Sequence, residues 1–80
     1  MYDLLWDRRM LGAFLAIAIL TEDEHIVLKD WAKGESIVYT ATMHPNHPMS
    51  VAKVNKLRRR IRQKYDRAQL LDPALPKRGA

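Results

Sequence analysis

SVAKVNKLRRRIRQKYDR, residues 50–67, is the stretch whose reading decides the fold. Val51, Val54, Leu57, Ile61, Tyr65 and Ala68 recur at steps of three and four, the spacing of one face of an α-helix. The rest of the helix surface carries Lys53, Lys56, Arg59, Arg62, Lys64 and Arg67, with Arg58 and Arg60 at the flanks. The Ser50 hydroxyl can accept from the free amides of the first turn, so Ser50 is the predicted N-cap. The stretch holds eight Lys or Arg against one acid, a net +7. Residues 1–49 sum to −3 and residues 68–80 to +1, within a total of +5. The positive charge is therefore one basic helix on a mildly acidic support. A concentrated cationic stripe is the electrostatic footprint of a phosphate-backbone binder, and a solvated helix face is the plainer alternative.

Working outward, 80 residues make one small domain, which buries only roughly 60% of its unfolded surface. Hydrophobic residues make up 48% of the chain and cysteine is absent, so the core is expected from packed helices rather than disulfides. That composition fits a cytoplasmic protein. No signal-peptide pattern is evident, since Asp3 and Asp7 precede the apolar run. The three glycines are scattered at Gly12, Gly34 and Gly79, which gives no phosphate-cradling loop.

Residues 2–20 read as a first helix, with Asp3 as a possible cap and Leu4, Leu11, Leu15 and Ala18 along one stripe beside Phe14. Met10 to Leu20 carries no charge, yet is shorter than the ~20 residues a bilayer needs. The run is expected either at the centre of the bundle or packed against a second copy or another protein. Thr21 to Lys33 reads as a second helix. Thr21 and Glu24 match a capping box, Glu22 and Asp23 suit the positive end of the helix dipole, and Gly34 stands at the C′ position. Ile26 or Val27 with Trp31, and Leu28 with Ala32, are its predicted inward side. Ser36 to Met43 has strand-like composition, but no second strand exists to pair with it, so a short third helix capped by Ser36 is predicted. Pro45 and Pro48 make His44 to Met49 a stiff turn. The expected architecture is all-α, a small bundle of four helices containing a helix-turn-helix. Its parts are an amino-terminal apolar helix (1–20), the helix-turn-helix domain (21–71) and a flexible basic tail (72–80).

Five short words in order carry a family resemblance: Leu20-Thr21-Glu22, Val27-Leu28, Trp31-Ala32-Lys33-Gly34-Glu35-Ser36, Met49-Ser50-Val51-Ala52-Lys53-Val54, and Leu57 through Tyr65. Together they resemble the helix-turn-helix of LuxR-type response regulators and of sigma-factor region four, over about residues 20–66. Ser36 and Ser50 stand fourteen residues apart, farther than in those families, and Ile37 to Met43 departs from their usual Ala-x-x-Leu. The resemblance implies a sequence-specific DNA-binding protein, a transcriptional regulator whose recognition helix enters the major groove of double-stranded DNA. By that geometry Ala52, Lys53, Asn55 and Lys56 are the candidates for base contact, because Asn pairs with adenine, Lys with guanine and Ala with a thymine methyl. Ser36, Ser50, Arg59, Arg60, Arg62 and Lys64 are the candidates for phosphate. A homodimer through residues 4–20 would supply two half-sites. The competing reading is a protein-interaction module, a sigma-region-four-like adaptor for RNA polymerase or another protein, without a direct DNA role.

Catalysis is not expected. His44 and His47 stand three apart on a proline-broken turn, with no cysteine or adjacent carboxylate in the sequence to complete a metal site. No cofactor is implied. Membrane binding is not expected either, because the apolar stripe of residues 50–67 lacks Trp and Phe and is needed by the core.

Overall fold

The computed structural model describes residues 8–72 and Leu75, without the side chains of Arg8 and Arg9. It contains four helices: α1 (Arg8–Ile17), α2 (Glu22–Ala32), α3 (Ile37–Thr42) and α4 (Val51–Leu71). There is no strand among the described residues. Over the described residues the chain is thus all-α, a small bundle of four helices, and Ile37–Thr42 forms the short helix, capped by Ser36, rather than a strand. No helix is long and apolar enough to cross a membrane among the described residues.

Local chemistry sets the boundaries. At Thr21 both halves of the capping box form: the Glu24 amide donates to Thr21 Oγ1 at 3.2 Å and the Thr21 amide donates to Glu24 Oε1 at 2.9 Å. At the other end of α2, Gly34 adopts φ +84°, the left-handed region glycine tolerates best. Its amide donates to Trp31 O (2.9 Å), and the Glu35 amide donates to Asp30 O (3.0 Å), the paired bonds of a Schellman motif. Ser36 accepts from the Tyr39 amide and Ser50 from the Lys53 amide, each at 3.0 Å, so both serines open their helices as expected. α1 is shorter than its apolar run, with residues 18–20 outside the helix. α4 continues four residues past Arg67.

α4 is the spine. Its 21 residues rise about 31 Å, against a longest molecular dimension of 37 Å. Val54, Leu57, Ile61, Tyr65 and Ala68 are buried along it, as its periodicity predicts, whereas Val51 stays exposed at its mouth. α2 delivers Val27, Leu28 and Trp31 to the same core. The α1 face differs from the predicted stripe. Met10 and Phe14 point inward and Leu15 outward, and the Phe14 ring sits 5.5 Å from that of Tyr65. The apolar run is therefore half-buried rather than enclosed: Gly12, Leu15 and Ala16 face solvent. Met1 to Asp7 and most of residues 72–80 lie outside the described residues. Within the latter, Leu75 is buried and its carbonyl accepts from Gln69 Nε2 at 2.9 Å.

Candidate nucleic-acid interface

The basic residues of α4 divide into two sets by helix phase. At 100° per residue, Ala52, Asn55, Lys56, Arg59, Arg60, Gln63 and Arg67 fall on the side away from the buried stripe. All seven are exposed. Lys56, Arg59, Arg60 and Arg67 form no ion pair among the described residues, so their charges remain available. Asp66 shares this phase, three residues after Gln63 and seven after Arg59, and is half-buried.

The other cations are used inside the molecule. Arg58 is buried and donates to Glu35 O at 2.8 Å. Its guanidinium lies 4.9 Å from the centre of the Trp31 ring, and that of Arg62 lies 5.0 Å from it. Flat, weakly hydrated guanidinium groups stack on the electron-rich indole face, so Trp31 gathers two arginines of α4 against the end of α2. Lys64 donates to Glu24 Oε1 at 2.6 Å and to Ile19 O at 2.9 Å, which ties α4 to the segment between α1 and α2. Lys53 meets Asp23 Oδ2 at 2.9 Å.

These pairs leave a mark on the acids. The Lys53 ammonium hydrogen-bonded to Asp23 holds that carboxyl below the usual carboxylate range, against an opposing effect of burial and with the charges of Lys53 and His47 adding to it. Burial pushes the Glu24 carboxyl up. Its hydrogen bonds from Lys64 and from the Thr21 amide outweigh that, and the net position is below the ordinary value of 4.5. Glu24 is 1% exposed, and its Oε2 has no hydrogen-bond partner among the described residues. A carboxylate buried this deeply needs its cation, so Lys64 is committed to the fold.

The predicted site residues thus separate. Ala52, Asn55 and Lys56 sit together at the amino end of the crest, with Arg59 and Arg60 following. Lys53 lies on the flank, held by Asp23. Arg62 is half-buried on Trp31 and Lys64 is spent on Glu24. Ser36 and Ser50 are exposed, with their hydroxyl oxygens engaged as caps. Sequence reasoning missed Trp31 as the arginine platform and Asp23 and Glu24 as partners of basic residues in α4.

The turn after α3 is fixed in the same way. His44 Nε2 lies 2.6 Å from Oδ2 of buried Asp30. His47 lies 3.3 Å from Glu22 Oε1 and 3.7 Å from Asp23 Oδ1. The fold brings carboxylates to both histidines, where the sequence shows none adjacent. Even so, no group of three His, Asp or Glu among the described residues could hold a metal ion. These contacts hold the turn that leads into α4 against α2. No protein-family model matches the chain, and no curated protein or solved structure matches it.

Proposed function

We propose that the protein binds double-stranded DNA through the exposed crest of α4, with α3 and α4 as the two members of a helix-turn-helix, and that it serves as a transcriptional regulator. One observation carries this reading. Four cations of α4 remain without an ion pair on one exposed face, although every other basic residue of the helix is paired or stacked. Phosphate neutralisation by such a face supplies affinity for any duplex. Asn55 and Ala52, exposed at the amino end, would then read base edges, with Lys56 on the adjoining phosphate. Ser36 and Ser50 can each still donate a hydroxyl hydrogen to phosphate.

Titration of labelled duplex DNA with the protein at low salt tests the reading. Binding of random duplex with a Kd of about 1–100 µM, tightening on a selected site, is expected. Absence of binding over that range at low ionic strength overturns it.

A further inference from the structure

Gly12 sits in the middle of α1, exposed, with no positive φ, and a Cβ added there would meet nothing within 4 Å. Glycine in a helix interior costs about 0.5–1 kcal/mol relative to alanine. Among the described residues of one copy that cost brings no gain: no turn requires it and no neighbour approaches. Beside it on the outer face lie Ala16 and Leu15, the latter 39% exposed. Between α1 and α2 runs an apolar groove of about 440 Å³, with Leu11, Leu15, Ile26 and Leu28 in its wall. Glu22 and Lys29 also line this groove. They are seven residues apart on α2, about 10 Å along its axis, so the rim is negative near one end and positive near the other.

We propose that this face binds a second copy of the chain across a two-fold axis passing near Gly12. The absent side chain lets two α1 backbones approach closely, and Leu15 of each copy enters the other's groove. Where that axis also crosses α2 between Glu22 and Lys29, at right angles to the helix, Glu22 of each copy faces Lys29 of its partner, and the rim is complementary to itself. The occupant follows from charge as well. The chain carries +5, and like faces must meet in such a dimer. Met10 to Leu20 holds no charged residue, whereas the crest of α4 would set arginine against arginine. The proposal goes beyond DNA binding and does not require it.

Light scattering or sedimentation of the full chain without DNA, from about 1 to 200 µM, is the test, since weak dimers dissociate in this range. The expected mass is twice 9.3 kDa at the upper end. Gly12→Leu should hold the mass at that of one chain while thermal stability is unchanged or raised, because the side chain enters open space in the monomer and suits a helix. Glu22→Lys should weaken association about tenfold, and adding Lys29→Glu should restore it, since reversal turns two rim attractions per dimer into repulsions. A single-chain mass at 200 µM overturns the proposal. So does a dimer that survives Gly12→Leu, or a charge swap that fails to rescue. Because mass is read without DNA, these outcomes leave the proposed DNA contact to be judged separately.

Discussion

The division of α4 into committed and uncommitted cations makes a quantitative prediction about salt. Each phosphate contact to duplex DNA contributes about −0.9 to the slope of log affinity against log salt concentration. Four contacts, from Lys56, Arg59, Arg60 and Arg67, give a slope of about −3.6, or roughly a 150-fold loss of affinity between about 50 and 200 mM salt. Replacing Arg59 and Arg60 by Ala should halve the slope to about −1.8, leaving roughly a 12-fold loss over the same interval. Because both residues are exposed and unpaired, thermal stability should change by less than about 0.5 kcal/mol. Arg58→Ala is the opposite case. It removes a 2.8 Å hydrogen bond to Glu35 O and a stack on Trp31, and should cost about 1.5–3 kcal/mol of stability. It should leave the salt slope of the folded protein unchanged. Fluorescence anisotropy at five or six salt concentrations reads the slopes, and urea unfolding reads the stabilities. A wild-type slope shallower than −1, or an Arg59/Arg60 variant that keeps the wild-type slope, refutes the assignment of the crest.

Three further expectations follow from other parts of the structure. Gly34→Ala, at φ +84°, should destabilise the fold by about 1–2 kcal/mol, because a Cβ is strained in the left-handed region; an unshifted urea midpoint counts against it. Glu24 has its carboxyl held below its unfolded value, so its contribution is present at neutral pH and is lost as pH falls below about 4.5; Glu24→Gln should be less stable at pH 7 and should flatten the acid limb of stability, and an unchanged limb would show that the Lys64 pair is not the cause. Asn55→Ala should reduce discrimination at one position of a selected DNA site by about 1–3 kcal/mol while keeping the salt slope, which repeat selection from a randomised duplex pool would read.

Legibility of the sequence followed the range of the interaction. The capping box at Thr21 and Glu24, the serine caps and the glycine after α2 are contacts between residues close in the chain, and each forms where the spacing says it should. The buried stripe of α4 was legible because its polar and apolar positions contrast. The same phase places Arg58 inside that stripe, four residues after Val54 and three before Ile61, so its burial was readable and was missed in favour of its charge. The face of α1 was not readable for the opposite reason. Met10 to Leu20 has no polar residue to contrast with the apolar ones, so Leu15 and Phe14 could not be told apart until α4 supplied Tyr65. Lys64 with Glu24 and Lys53 with Asp23 join residues forty and thirty apart, and periodicity along one helix carries nothing about them.

That last pair bears on how the crest would work. Lys53 is placed by sequence among the residues that read bases, yet it rests on Asp23, and its release must cost the free energy of an ion pair. Exposed pairs of this kind contribute about 0.2–1 kcal/mol, so the restraint is weak enough for a duplex to overcome and large enough to measure. Asp23→Asn removes the acid and keeps the side chain's shape. If Lys53 then turns to phosphate, a fifth contact steepens the salt slope from about −3.6 to about −4.5 and tightens binding at low salt. Combining Asp23→Asn with Lys53→Ala should return the slope to its starting value. A slope indifferent to Asp23→Asn would mean that Lys53 belongs to the scaffold, and that base reading falls to Ala52 and Asn55, with Lys56 on phosphate.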